Sequence, residues 1–440
     1  VIGPELLGAI MLVVMLGAIF IGFPIAFTLI LLAMIFGYIG LGGTAFYIMV
    51  FQTIGLMKEE VLAAVPLFIF MGYLMEQGGL MERLFRGFQL LMGPVPGSLY
   101  VGVLITATIF GIAAGTVGAT VVLMGIMAVP IMTKAGYDVR MSAGAITAGG
   151  TLGILVPPSV MLVVMGPVMG VSVAELYASC FGPGFLLSGI FIVYCVVRSL
   201  INPRLGPPLP PEERTGSLAE IAKELALGML PHIILILATL GTIVLGWATP
   251  TEAAAMGVVG AAFLALIYRE FTWRRLRDAV YNTLLQSSVV IFLAVASNVF
   301  GAVFSRLGTA TVATNALLSW KIEPVAMLTL IMVVIFLLGW PFEWPAIVLV
   351  FVPLMQPIIQ ALKIDMLWFA TLIAVNLQTA YLSPPVAMSA YYLKGVAPRW
   401  SLRDIYSGMA QFMILQLVGL ALCVMFPAIA LWFPRWLFGK

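Results

Sequence analysis

Charged side chains make up only 9% of this 440-residue chain. A water-soluble globule of that length needs a charged surface, so that class is excluded. Hydrophilic stretches are nearly as scarce, leaving no room for an extramembrane domain. No nucleotide-binding motif is present, so any work the molecule does must draw on an ion gradient. A single histidine, His232, and three cysteines, Cys180, Cys195 and Cys423, are the only imidazole and thiol ligands. The cysteines lack ligand spacing and read as inert buried thiols. His232 follows Pro231, has no acidic neighbour, and reads as a packing residue. Without a His-Asp, Ser-Lys or metal constellation an intramembrane enzyme is not expected. The net charge of +3 gives no ground for a nucleic-acid partner. A basic leader is missing too: Glu5 stands where a signal peptide would carry lysine or arginine, so the first helix reads as retained.

What remains is apolar. Hydrophobic residues reach 62% and the mean hydropathy is +1.15, the profile of an all-α polytopic membrane protein in a lipid bilayer, with about ten crossings of roughly 20 residues each plus shorter half-spans. Residues 4–40 read as two spans broken at Gly22-Phe23-Pro24, and a third runs from about Val61 to Glu76. After Gly78-Gly79, residues 80–93 place Met81, Leu84, Phe85, Phe88 and Leu91 on one face and Glu82, Arg83 and Arg86 on the other, an interfacial arm helix. Residues 97–133 carry GIAAGTVGAT at their centre, which suits a re-entrant hairpin; two full spans are the alternative. Residues 198–224 are hydrophilic and Pro-rich and read as a cytoplasmic linker.

Two stretches dominate this layout. GTLGILVPPSVMLVVMG (150–166) and NLQTAYLSPPVAMSAYYLKG (376–395) each set a Pro-Pro pair inside a membrane-length run. Proline offers no N–H, so the carbonyls of Gly153, Ile154 and Leu155, and of Ala380, Tyr381 and Leu382, lose helical partners. At membrane depth such backbone must face protein, an ion or a water-filled cavity, as in the discontinuous helices of transporters.

The two stretches belong to an internal repeat. Pro24 and Pro250 are 226 residues apart, Pro130 and Pro353 223, Asp138 and Asp365 227, Pro157 and Pro384 227, and Ser172 and Ser401 229. The first repeat covers 1–197, with its broken helix at 142–169. The second covers 225–440, with an arm at 305–320, a hairpin at 323–361 and a broken helix at 366–394. Threading the charged ends with residue 1 outside puts fifteen lysines and arginines inside and six outside, so the halves are expected to be inverted copies with a site where they meet.

GGTLGILVPPSVM, NLQTAYLSPPVAM, ATPTEAAAMG and SLRDIYSGM resemble the large membrane subunit, M or DctM type, of tripartite ATP-independent periplasmic (TRAP) transporters. The likeness covers the whole chain in order. It implies an elevator mechanism, sodium (Na+) coupling, a small four-helix Q subunit, an extracytoplasmic P-type binding protein and organic acid uptake across the bacterial or archaeal cytoplasmic membrane. An independent sodium or proton symporter is the alternative. Where many members resemble Gly-x-x-x-Asp at the second hairpin tip, this chain has Gly339-Trp340-Pro341-Phe342-Glu343. Glutamate keeps the charge and reaches further. The Pro-Pro wording resembles the branch associated with keto acids, mannitol or chloroaromatic compounds.

Sodium favours oxygen ligands. One cation site is expected at Gly115, Thr116 and Gly118 of the first tip with Thr151 and Pro157, and a second at Gly339 and Glu343 with Gln378, Thr379 and Ser383. Each tip is expected to face the broken helix of its own half. Substrate is expected at Thr116, Pro158, Ser159, Glu343 and Pro385, drawn by half-helix N-termini and bound cations. Thr120 has a plainer reading, a bond to a carbonyl one turn back. Glu252, beside Pro250, reads chiefly as a helix cap.

Overall fold

The computed structural model describes residues 3–76, 80–208, 217–269 and 271–439, and all regular structure among them is helical. Eight helices are long and apolar enough to cross a membrane, and a ninth candidate is the pair Val139–Leu155 and Val160–Met169, bent by 44° at its break. Shorter apolar helices fill the rest. The protein is a multi-pass membrane protein.

The helices begin where the sequence supplies caps. Asp138 and Asp365, which share the offset of 227, both open a broken helix: Asp138 accepts from the Met141 amide at 2.8 Å, and Asp365 from the Leu367 and Trp368 amides at 2.8 and 3.1 Å. The two aspartates thus do the same capping task. Thr249 and Glu252 form a reciprocal capping box on Pro250–Ile267, as read for Glu252. Ser217 and Glu220 form another on Leu218–Ile236.

That second box shortens the expected linker. The helix Val173–Ile201 runs into it from one side, and Leu218–Ile236 starts within it from the other. Residues 202–208 are fastened down: Gly206 accepts from the Gly97 amide at 2.8 Å, and the Leu205 carbonyl accepts from Tyr100 Oη at 2.6 Å and the Asp138 amide at 2.9 Å. Residues 209–216, and with them Arg214, lie outside the described residues, as do Gly78, Gly79 and the side chains of Met81 and Glu82.

Both hairpins form. The first joins Ser98–Ala114 to Val117–Lys134 through Gly115, whose φ of +64° ends the first arm. The second joins Pro324–Leu338 to a span that starts at Trp344, passes through a π segment at Ile347–Phe351 and ends with Val352–Ala361. The broken helices are Val139–Leu155 with Val160–Met169, and Met366–Leu377 with the 3-10 turn Gln378–Tyr381 and then Met388–Val396. Both Pro-Pro peptide bonds are cis. The arm Leu80–Met92 packs along Leu218–Ile236, and Thr309–Ser319 takes the corresponding place in the second half.

Two helices were not anticipated. Thr44–Met57 follows Ile25–Leu41 after a turn at Gly42-Gly43, and Ala428–Phe438 follows the last long span Leu402–Met425. Neither boundary carries a charge, so in sequence each merges with its neighbour.

Close packing depends on glycine at several crossings, and one of them joins the first hairpin to the first broken helix. A Cβ on Gly111 would lie 2.7 Å from the Gly153 Cα, and one on Gly153 would lie 2.8 Å from the Gly111 Cα. Backbone meets backbone there, fixing the hairpin against the first broken helix. Gly153→Val should therefore cost about 3 kcal/mol or more, read as a lower melting temperature and a poorer yield of monodisperse protein. A melting curve like the parent's would show that the crossing can open without cost.

Candidate functional site

The hairpin tips and the broken helices converge. A Cβ on Gly115 would lie 3.5 Å from the Pro158 carbonyl oxygen, so the first tip rests on the first break. At the second tip, a Cβ on Gly339 would lie 3.1 Å from the Ala380 Cβ, in the turn preceding Pro384. Each tip does face the broken helix of its own half. The first tip also crosses to the other half, since Gly118 sits against the Tyr392 ring, 3.3 Å from where its Cβ would be.

Between the tips lies a cavity of about 420 Å³. Thr116, Val117 and Gly118 line one side and Glu343, Trp344 and Pro345 the other; Val160, Met161, Tyr381 and Tyr392 come from the broken helices. Ile69 and Tyr73 of Ala64–Glu76, with Leu285, Gln286 and Val289 of Trp273–Arg306, close the remaining wall. Three helix starts, at Val117, Val160 and Trp344, thus border one space, and their amide ends favour negative charge. The only charged side chain among the described lining residues is Glu343. It occupies the N-cap position of its helix without making a side-chain cap bond, so its carboxylate is left for the cavity.

The expected substrate residues divide. Thr116 and Glu343 line the cavity. Pro158, Ser159 and Pro385 are absent from its described lining. Ser159 is fully buried and donates to the Ile154 carbonyl at 2.5 Å, supplying the partner that the prolines withhold. Pro385 accepts from Tyr406 Oη at 3.4 Å. Thr120 donates to the Thr116 carbonyl at 2.8 Å, the plainer of its readings, and Thr116 makes no cap bond of its own.

Among the expected cation ligands, the second set is already engaged. Leu382 and Ser383 amides and the Ser383 hydroxyl all donate to the Thr379 carbonyl, at 2.9, 2.8 and 2.7 Å. Thr379 Oγ1 donates to the Asn376 carbonyl at 2.6 Å. Hydroxyls that donate keep lone pairs for an ion; a carbonyl with three donors has little left. Pro157 is buried at the first break, away from the cavity lining.

Thr151 and Gln378, placed in separate sites by sequence, meet each other. Both are wholly buried, and the Thr151 hydroxyl lies 3.2 Å from Gln378 Oε1 and 2.8 Å from the Ala148 carbonyl. Gln378 Nε2 has no partner. A hydroxyl has one proton. If it goes to Ala148, turning the amide over lets Nε2 donate to Thr151 Oγ1 and leaves Oε1 as the unpartnered atom, a free oxygen in the heart of the molecule. That is a neutral oxygen of the type a hard cation takes.

Gln286, Tyr73 and Tyr392 were not singled out from the sequence, and Tyr381 only for its carbonyl. For Gln286 a signal existed: Gln286-Ser287-Ser288 interrupts an otherwise apolar span, and intramembrane polar groups face cavities or partners.

Two helix-turn-helix tips, two interrupted helices and a cavity between them define the class: a polytopic membrane protein organised around discontinuous helices. The family model of the tripartite ATP-independent periplasmic transporter, DctM component, matches residues 12–429, and the chain belongs to that family. It is 29% identical over 425 residues to the sialic acid TRAP transporter large permease protein SiaM of Vibrio cholerae, covering 96% of this chain and 97% of the relative. It is 30% identical over 385 residues to the C4-dicarboxylate TRAP transporter large permease protein DctM of Pseudomonas aeruginosa, covering 86% and 87%. The ectoine TRAP transporter large permease protein TeaC of Halomonas elongata is 28% identical over 424 residues, covering 96% and 97%. Among solved structures, the YdaH transporter of Alcanivorax borkumensis superposes with a TM-score of 0.65 at 14% identity over 98% of this chain and 99% of its own, a likeness of fold.

Proposed function

We propose that this chain is the translocating subunit of a sodium-coupled uptake system for an organic acid, receiving its substrate from an extracytoplasmic binding protein and working beside a small four-helix membrane subunit. The observation that carries this reading is the charge pattern of the cavity: three helix N-termini and one carboxylate, with no basic side chain among the described lining residues. Helix starts attract the substrate's carboxylate. Glu343 repels it unless a cation enters as well. Obligatory co-entry of cation and anion is symport.

Thr116, Glu343, Thr151 and Gln378 supply oxygens that suit sodium, and the pairing of Thr151 with Gln378 at equal positions supports two inverted halves meeting at the site. In the elevator reading, the hairpins and broken helices travel together against a wall made by Ala64–Glu76 and Trp273–Arg306. The cavity lies between those two groups, as such a motion requires.

The test is reconstitution into liposomes with the small subunit and the binding protein. Uptake of the cognate acid is expected to follow an inward sodium gradient, to stop when potassium replaces sodium, and to require the binding protein. Uptake driven by a proton gradient without sodium would overturn the coupling; full uptake without the binding protein would favour an independent symporter.

A further inference from the structure

A second, open groove shares no lining residue with the cavity at the hairpin tips and lies on the face shared by Val173–Ile201 and Leu402–Met425. Phe185, Gly189, Val193 and Val197, spaced at helical intervals, form one wall, and Leu415 contributes from the other helix. Nothing lies within 4 Å of where a Gly189 Cβ would stand, so the groove is open at its centre. Its volume is about 670 Å³, and from Phe185 to Arg198 thirteen helical rises of 1.5 Å give a length of ~20 Å. An extended hydrocarbon chain matches a narrow apolar trough of this length.

Polarity is confined to one end. Tyr194 Oη is spent on Gln411 Oε1 at 2.6 Å, tying the two helices together. The Arg198 guanidinium is drawn back over the Tyr194 ring, 6.0 Å from its centroid, and takes part in no ion pair among the described residues. The segments carrying Arg204 and the Arg140–Asp404 pair meet at this end, where the Asp138 amide donates to the Leu205 carbonyl. An apolar slot about one leaflet long, headed by an uncompensated cation at the interface, has the shape and charge of a lipid site.

We propose that this groove seats the acyl chain of an anionic phospholipid, with its headgroup phosphate on Arg198. One arginine at an anionic surface is worth roughly 1 kcal/mol, or about a fivefold preference over a zwitterionic lipid of the same chains.

Native mass spectrometry of the purified protein with chain-matched phosphatidylglycerol and phosphatidylcholine reads this directly. The parent is expected to retain phosphatidylglycerol about fivefold better. Arg198→Gln should bring the ratio to about one, and Gly189→Phe should reduce retention of both lipids. Arg277→Gln, in the exposed cluster where Arg274 and Arg277 pair with Asp278, should leave the ratio unchanged. Should Gly189→Phe fail to fold, Val193→Trp at an outward position blocks the same groove. Equal retention of the two lipids by the parent, or a preference that survives Arg198→Gln and moves with Arg277→Gln, overturns the proposal.

Discussion

Glu343→Gln is expected to lower uptake at limiting sodium by ten- to a hundredfold while leaving the protein folded. Folding is spared because the side chain makes no cap bond, and the amide has the same shape. Transport suffers because this is the one charged group among the described cavity residues. A charge-assisted contact is worth about 1.5–3 kcal/mol, which converts to that range of cation affinity. Saturating sodium should recover much of the lost rate, since the defect lies in binding. Glu343→Asp keeps the charge but retracts it, so an intermediate loss is expected.

The same variant separates the two coupling schemes. If protons drive uptake through this carboxylate, Glu343→Gln removes the pH dependence of the rate and added sodium restores nothing. If sodium drives it, the parent and the variant differ chiefly in their half-saturating sodium concentration. Uptake within twofold of the parent at every sodium concentration would remove Glu343 from the coupling site and leave the neutral oxygens as the remaining candidates.

The broken helices, both hairpins and the arms were readable because each depends on local chemistry: proline withholding an N–H, glycine supplying positive φ, aspartate capping a start. The equal spacing of Asp138 and Asp365 turned out to be two N-caps doing the same task. Tertiary contacts were not readable. Nothing near Tyr73 or Tyr392 says that each will border the hairpin tips, because the two residues are brought there by helices remote in sequence. The linker was overestimated because polar composition concealed the Ser217–Glu220 box, a pattern visible in the letters but outweighed by the prolines before it. Ser159 shows a subtler miss. A hydroxyl beside a Pro-Pro break can bind substrate or restore the lost helix bond, and burial decides for the second.

Gln378→Ala should leave the sodium-free protein nearly unchanged and weaken the sodium-bound one. Without sodium, the parent confines a buried amide donor that lacks a partner, or one satisfied only by Thr151. Removing it trades a cavity cost for relief of that desolvation, each of ~1–3 kcal/mol, so the melting temperature in potassium should move little. In sodium the variant loses an oxygen ligand. A ligand at a hundred times its dissociation constant stabilises the folded state by about 2.7 kcal/mol, and a tenfold loss of affinity removes about half of that. The sodium-induced rise in melting temperature should therefore shrink by about half or more, whereas Gln378→Glu, which keeps an oxygen there and adds charge, should preserve or enlarge it. Thr151→Ala leaves the Gln378 oxygen in place but takes away the group that orients it, so its effect should be smaller and should not add to that of Gln378→Ala, as expected for residues sharing one contact. Fully additive losses would mean that the two residues serve separate ions, and the 3.2 Å contact between them would then carry no coupling at all.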